Sequence, residues 1–207
     1  MKKIYVVKYS GPFGFIKPWT AVRDEETYSQ QFLTPSIVAG IERKIFPELL
    51  KEDDGKIKKI VGHRLRYKQI SQQKEVTQTR GMNSVKVKEL GRLYTRGSYK
   101  NGGVSFTPIS RGVLVEPRIY LVFTNIKDAQ KAARQHICLC RNEDLLYPEG
   151  EVLEVTRKEF DKEDYAGFEL VFDKSESSFL VGYNRLANNE PMYGYLKVVG
   201  TPVRTNY

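Results

Sequence analysis

The strongest constraint in this sequence is a basic segment between residues 56 and 100. It holds eight lysines, five arginines and only two acidic residues, Glu75 and Glu89, so its net charge is +11. Because the whole chain of 207 residues carries +9, everything outside the segment sums to −2. A near-neutral body with one strongly basic element is typical of proteins that bind a polyanion, above all nucleic acid.

The basic segment also has the period-two pattern of β-strands. Basic side chains alternate with apolar or aromatic ones at 63–68, and the alternation returns at 85–88 and 92–96. A polar stretch, 71–84, separates the two runs, which predicts a long β-hairpin. The alternative is a solvated loop whose charges only confer solubility, and the strand periodicity favours the hairpin.

Basic and aromatic side chains interleave along this predicted hairpin. Lysine and arginine neutralise phosphates, and tyrosine rings offer faces on which single-stranded bases stack. The pattern therefore predicts an RNA-binding α/β domain. The predicted RNA-binding residues are Arg64, Arg66, Tyr67, Lys68, Arg80, Lys86, Lys88, Arg92, Tyr94 and Arg96.

Ahead of the basic segment, the sequence predicts one strand and one helix. Residues 4–9 are rich in β-branched and aromatic side chains, which favours a first strand. Thr34 is a good N-cap and Pro35 suits the first helical position, so a helix is expected from there to Pro47. Gly40, in the middle of this helix, predicts close packing against a sheet.

Behind the basic segment, strands dominate. Residues 112–124 form the most apolar β-rich run, in which Pro117 indicates a bulge or a sheet edge. Residues 127–140 read as a second helix. Short strands are expected at 152–155, 168–172, 179–181 and 195–199. The order strand, helix, hairpin, strand, helix, strand is compatible with a ferredoxin-like, RRM-type core.

Motifs for metal binding and catalysis are sparse. Cys138 and Cys140 are spaced C-x-C behind His136, without a second ligand pair, so we expect buried or half-buried core thiols and no metal. No phosphate-binding or dinucleotide-binding loop occurs, and no cofactor is expected. His63 and His136 are the obvious acid–base candidates, although a structural or phosphate-contacting role is favoured for each.

The cysteine content and the length of the apolar stretches indicate the cellular compartment. The chain has only two thiols, lacks a leader-like apolar stretch near its first residue and contains no apolar run of membrane-spanning length. These features predict a cytoplasmic protein without contact to a membrane.

Two motifs near the beginning of the chain carry a family resemblance. Residues 9–18 read YSGPFGFIKP, and residues 32–41 read FLTPSIVAGI. Together they resemble the Cas five family, which supplies the RNA-handle-holding subunit of type I CRISPR surveillance complexes (Cascade). The resemblance covers about the first 46 residues and continues more weakly through the basic segment and the strand at 107–123.

The resemblance implies an α+β fold with a ferredoxin-like (RRM/RAMP) core. The core domain would span 1–140 and carry the basic segment as an inserted β-hairpin, the thumb, at 56–110. A small β-rich C-terminal region, 141–207, would pack on it. In the family the thumb grips the 5′ handle of the CRISPR RNA, and here the loop holding Gly11 and Phe13 would shape the RNA groove.

The implied function is that of a non-catalytic RNA-binding subunit that caps the backbone filament of the complex. The implied partners are the 5′ handle of the CRISPR RNA, the backbone subunits of Cascade, its large subunit and target DNA near the PAM end.

One branch of the family also cuts precursor CRISPR RNA, with a tyrosine after the first helix and a Lys-His pair near the second. Here Phe46 holds the matching helix position and lacks the hydroxyl, and the nearest substitutes for the pair are Lys131 and His136. Metal-independent cleavage needs one group to activate the 2′-OH and another to protonate the leaving oxygen. A processing endoribonuclease therefore stays the alternative function, and an unrelated basic RNA-binding protein is a third.

Overall fold

The strands of the described residues form two sheets, one with nine strands and one with four. The predicted contact residues from Arg80 to Arg96 lie outside the described residues. The computed structural model describes residues 3–18, 26–52, 56–79, 105–184 and 188–203.

The large sheet is built from distant parts of the sequence. At its centre are β1 (Lys3–Ser10), β7 (Arg118–Phe123) and β4 (Ile60–Arg66), with β7 antiparallel to both neighbours. The other strands of this sheet are β8 (Ile137–Cys138), β9 (Leu145–Pro148), β10 (Leu153–Thr156), β11 (Gly167–Val171), β12 (Phe179–Asn184) and β13 (Glu190–Val199). The lateral order is β12-β13-β11-β4-β7-β1-β9-β8, and β10 also pairs with β1.

In the described part of the chain, three α-helices accompany these strands. They are α1 (Pro35–Ile45), α2 (Ile126–Ala132) and α3 (Arg157–Phe160), and 3₁₀ turns occupy Pro47–Glu52 and Glu163–Tyr165. Along the chain, α1 lies between β1 and β4, and α2 lies between β7 and β8. The fold is mixed α+β with a mostly antiparallel sheet and few helices, as the sequence predicts. The ferredoxin-like classification of the core stays a prediction.

The small sheet contains a long two-stranded arm. Strands β5 (Gln69–Thr79) and β6 (Ser105–Val115) are antiparallel partners over their whole length, from Gln69↔Val115 to Thr79↔Ser105. The other edge of β6 pairs with β2 (Phe13–Gly14) and, in parallel, with β3 (Glu26–Tyr28). Strands β5 and β6 flank the basic residues 80–104, so a hairpin-like pair does occur at this place in the chain.

The start of this hairpin differs from the sequence prediction. The alternating run at 63–68 falls largely in β4, which lies between β7 and β11 in the large sheet. Six of its seven residues are buried. The alternation of basic and apolar residues therefore reflects a central strand whose basic side chains are buried together with its apolar ones. The hairpin begins only at Gln69.

The apolar run at 112–124 is two strands instead of one. Glu116 and Pro117 form a tight turn between β6 and β7, and Glu116 has a positive φ of 48°. The predicted bulge or edge at Pro117 is therefore wrong. Proline lacks a backbone N–H, and in this turn it lies outside the hydrogen-bonded part of both β6 and β7, where no donor is needed.

The second helix is shorter than the sequence predicts. It ends at Ala132, a turn follows, and the next residues form β8. Ile137 is fully buried and pairs with Leu146 of β9, so packing into the sheet outweighs helix propensity there. As a result His136 does not lie on a helix.

The first helix begins at Pro35 as predicted, but its details differ. The Thr34 side chain makes no capping bond; its carbonyl accepts from the N–H groups of Ile37 and Val38 at 3.1 and 3.0 Å. Gly40 is exposed, and a Cβ built there would meet nothing within 4 Å. The predicted close packing at Gly40 is therefore wrong.

The two faces of the large sheet are covered unequally. The face under α1 and α2 carries the main core, which includes Leu65, Leu121 and Phe123. The opposite face carries a small cluster of Ile4, Val6, Tyr120, Val122 and Phe160, at the end of the sheet where 157–165 cover it. No helix in the described ranges is long and apolar enough to cross a membrane.

Candidate nucleic-acid interface

Arg64, the first of the predicted RNA contacts, is an internal anchor. Its side chain is 1% exposed and lies over the Phe160 ring, with the guanidinium carbon 3.9 Å from the ring centroid. Its N–H groups donate to the carbonyls of Phe160 and Tyr165 and pair with Asp161 and Glu169. Because all these partners come from 160–169, Arg64 holds that segment on the sheet and has no surface for a phosphate. Its assignment as an RNA contact is wrong.

Tyr67 is also occupied inside the fold. It is 4% exposed, its hydroxyl donates to Oε1 of Gln31 at 2.5 Å, and its ring stacks on Phe168 with centroids 6.2 Å apart. Burial raises the pKa of its phenol. A base has no open face on which to stack here, so the predicted stacking role of Tyr67 is wrong.

Arg66 has a different environment, on the face of the sheet opposite the helices. Strand register places it directly across from Arg118 of β7, which is the more exposed of the two. Like charges at directly opposed positions repel each other. A carboxylate already lies near Arg118: burial would raise the pKa of Glu149, but hydrogen bonds from Lys8 and Ser10 and the charges of Lys8 and Arg118 lower it. The two arginines therefore place positive charge at this edge of the surface, part of which Glu149 balances.

The same register continues across two further strands. Ser10 of β1 lies opposite Arg118, and Tyr147 of β9 lies opposite Ser10. Tyr147 is 55% exposed, and its ring centroid is 6.0 Å from that of His136. We call Arg66, Arg118, Ser10 and Tyr147 the cross-strand row. It combines the buried Arg66, the partly exposed Arg118, a Ser10 hydroxyl that donates to Glu149, and the exposed aromatic ring of Tyr147. Cations and aromatic rings are the groups that bind single-stranded nucleic acid.

The cross-strand row lies where the β5–β6 arm leaves the large sheet. Arg66 is three residues before the start of β5, and Arg118 is three residues after the end of β6. Lys68, another predicted contact, is partly exposed between them and pairs with Glu116 at 3.3 Å. The open end of the sheet and the root of the arm therefore form one continuous surface.

The arm is fixed to the body by an ion-pair network at Glu75. This carboxylate accepts from Arg111 of β6 at 2.6 Å and from Arg141, which in turn pairs with the buried Asp144 at 2.7 Å. Burial alone would raise the pKa of Glu75, but the two arginines lower it. One of the two acidic residues in the basic segment thus orients the arm.

The loop that contains Gly11 packs against the start of β9. A Cβ at Gly11 would lie 2.5 Å from the Leu145 carbonyl oxygen, which explains the glycine. Phe13 is partly exposed and pairs in β2 with Val115 of β6. The loop supports the root of the arm, and direct RNA contact by Gly11 and Phe13 stays a prediction.

Six predicted contacts lie outside the described residues, so the structure places none of them. They are Arg80, Lys86, Lys88, Arg92, Tyr94 and Arg96.

The acid–base candidates have different environments, and His136 is the exposed one, beside Tyr147. His63 lies in β4, 6% exposed, and burial lowers its pKa to about 4, so its imidazole is neutral near pH 7. Lys131 pairs with Glu48 at 2.9 Å. Phe46 is fully buried and lies under the ammonium groups of Lys59 and Lys131.

We expect His63 to destabilise the fold in mild acid. The unfolded histidine binds a proton below about pH 6.5 and the buried one only below about pH 4, so the free energy of unfolding falls across that window by about 3 kcal/mol. Urea titrations from pH 7 to pH 4.5 measure this slope. The His63→Gln variant should lose this histidine-dependent decrease in the free energy of unfolding. The acidic residues with lowered pKa contribute their own decrease, mainly at lower pH, and they do so equally in both proteins. An equal slope in the two proteins would contradict this assignment.

The thiols have separate neighbours. Sγ of Cys140 accepts from the backbone N–H of Lys17 at 3.0 Å, and Sγ of Cys138 lies 3.5 Å from Nζ of Lys44. Among the described residues, no three His, Cys, Asp or Glu side chains gather in a way that could hold a metal ion.

Sequence reasoning missed two members of the cross-strand row. Arg118 and Tyr147 lie outside the basic segment, and only strand register brings them beside Arg66. The available signal was an arginine immediately after a turn proline, which by itself points to no ligand.

Comparison with known proteins bears on the fold. No family model matches the chain, and no curated protein matches it either. A chain from a solved "CRISPR RNA-guided surveillance complex" is 13% identical and aligns with a TM-score of 0.51, over 97% of this chain and 90% of that one.

A crystal structure of a CRISPR protein from Archaeoglobus fulgidus aligns over 95% of this chain and 86% of that one. It is also 13% identical, with a TM-score of 0.32, which is too low to carry an argument. The chain therefore shares its fold with a chain of a CRISPR RNA-guided surveillance complex.

Proposed function

We propose that this protein is a cytoplasmic RNA-binding subunit of a type I, Cascade-like CRISPR surveillance complex, of the Cas five kind. In this role it holds the 5′ handle of the CRISPR RNA and caps the backbone filament. The single observation that carries the proposal is the cross-strand row at the root of the β5–β6 arm, directly beside the chain's basic segment.

The row has the chemistry that a single RNA strand requires. The partly exposed guanidinium of Arg118 suits a phosphate, with the buried Arg66 directly across from it, and the exposed ring of Tyr147 offers a base a stacking surface, which is worth about 1–3 kcal/mol per base. The β5–β6 arm connects this surface to residues 80–104, which hold six basic residues and one acidic residue. RNA lying on this surface would meet fixed cations first and the basic segment next.

The whole-chain likeness to a surveillance-complex chain supports the same reading, since it extends over 97% of this protein. Backbone subunits and a large subunit are the corresponding protein partners, and target DNA near the PAM end is a further one. The endoribonuclease alternative loses His63, which is buried and neutral, and Lys131 is engaged with Glu48; it would depend on His136, which is exposed beside Tyr147.

Charge reversal at the cross-strand row tests the proposal. Arg118→Glu places a carboxylate opposite Arg66 and should weaken binding of single-stranded CRISPR repeat RNA at least about tenfold. The slope of log affinity against log salt should also fall by about 0.7 for each phosphate that the variant no longer neutralises. Fluorescence anisotropy over a salt series measures both quantities.

The matched control is Arg134→Glu, an exposed position after α2 with the same charge change. It should keep RNA affinity within about twofold. Equal reductions in the two variants would show that only net charge matters and would overturn the assignment of the row.

A further inference from the structure

A second feature lies on the opposite face of the sheet, between the segment that precedes α1 and strands β11 and β13. It is a cavity of about 370 Å³, within the size range of small-ligand sites. Its walls are mostly aromatic or apolar, and one buried amide side chain is set among them. The lining residues include Pro18, Tyr28, Gln30, Phe32, Phe168 and Leu196.

Gln30 is the unusual member of this cavity. The residue is only 8% exposed, and both Oε1 and Nε2 are buried without a hydrogen-bond partner among the described residues. A buried amide with neither donor nor acceptor satisfied is costly, and folded proteins seldom leave one so. The terminal torsion of a glutamine is broad, so rotation about it is the motion that would bring this amide to a ligand in the cavity.

The backbone around Gln30 is rigidly held, so its side chain is presented from a fixed position. The Gln30 N–H donates to the Ile16 carbonyl at 2.9 Å, and the Ser29 N–H donates to the Gly112 carbonyl at 2.7 Å. The Ser29 hydroxyl accepts from the Ile16 N–H at 2.9 Å. Preorganisation of this kind lowers the entropic cost of binding.

The cavity is also joined to the root of the β5–β6 arm. The hydroxyl of Tyr28 accepts from Nε2 of Gln72 on β5 at 2.7 Å, and the Tyr28 ring leaves no room for a Cβ at Gly112 of β6. The cavity therefore borders the arm at Gln72 and Gly112.

We propose that this cavity takes one unpaired nucleobase of the bound RNA, read by the Gln30 amide and stacked against the aromatic walls. A glutamine amide offers one donor and one acceptor side by side, the pairing that matches a base edge such as that of adenine. The walls named above carry no charge, which suits a base and not a phosphate. This inference rests on the proposed function, since it assumes that RNA is the ligand.

Abasic scanning tests the proposal. Repeat RNA with one nucleotide at a time replaced by an abasic site is titrated against the protein. We expect one position at which removal of the base weakens binding roughly 5- to 100-fold, and at which the four bases differ in affinity. In the Gln30→Met variant the differences between bases at that position should fall to about twofold, and the melting temperature should rise, since an unpartnered amide is removed.

Gln130→Met, an exposed position on α2, is the matched control and should leave the base profile unchanged. If Gln30→Met fails to fold, Leu196→Phe fills the cavity from another wall and should abolish the position-specific effect. RNA binding with an unchanged base profile in these variants overturns the nucleobase site alone. Absence of RNA binding by the unmodified protein overturns the proposed function as well.

Discussion

Replacing Arg64 with methionine is expected to lower the free energy of unfolding by about 3–5 kcal/mol. The guanidinium is buried against the Phe160 ring and donates to two backbone carbonyls while pairing with Asp161 and Glu169. Methionine keeps much of the aliphatic packing but leaves the carbonyls of Phe160 and Tyr165 and the 12%-exposed Glu169 without their cation. Removing one member of a buried charge network costs more than the pair contributes, because the partner stays desolvated.

Urea denaturation followed by circular dichroism measures this decrease. Arg134→Met, at an exposed arginine, should change stability by no more than about 0.5 kcal/mol. An unchanged midpoint in Arg64→Met would contradict the role assigned to Arg64. For the same reason, a variant carrying Arg64→Glu, Arg66→Glu and Lys68→Glu would be expected to unfold, so its loss of RNA binding would not identify RNA contacts.

Replacing Glu42 with alanine is expected to cost about 3–5 kcal/mol as well. Glu42 lies on α1, is 1% exposed, and its carboxylate accepts backbone N–H groups that lead into β4. The donors are Lys58 at 3.0 Å, Lys59 at 2.6 Å and Ile60 at 2.8 Å. Hydrogen bonds to a charged acceptor contribute about 1.5–3 kcal/mol each, and part is regained where water reaches the exposed Lys58.

Glu42→Gln should lower the free energy of unfolding less than Glu42→Ala, because the amide oxygen still accepts backbone N–H groups. Some cost remains, because the NH₂ group of glutamine cannot accept from the other donors. Glu190→Ala, at an exposed acid on β13, is the control and should be neutral within about 0.5 kcal/mol. Thermal and urea unfolding of the three variants measure the order. Equal stability of Glu42→Ala and the control would show that the carboxylate does not hold the start of β4.

Local signals predicted the regular elements well. The proline at the start of α1, the β-rich residues 4–9 and the short strands after 141 were visible because each depends on neighbours in sequence. The end of the second helix was not visible, because Ile137 joins the sheet through a partner nine residues further along the chain.

The site was harder to predict because burial and pairing depend on contacts between distant residues. Arg64 looked like a surface cation, and its partners lie about 100 residues further along the chain. Arg118 and Gln30 gave no signal, since register and an unpartnered amide exist only in the folded protein. Composition pointed to a polyanion partner, and only the fold separated structural cations from available ones.

The central claim is that RNA lies on the cross-strand row and along the β5–β6 arm. Ultraviolet cross-linking of the protein to single-stranded CRISPR repeat RNA, followed by mass spectrometry of the linked peptides, tests it most directly. We predict cross-links at Tyr147 and in peptides covering 66–79 and 105–118. Cross-links confined to β12, the edge strand of the large sheet, would contradict it.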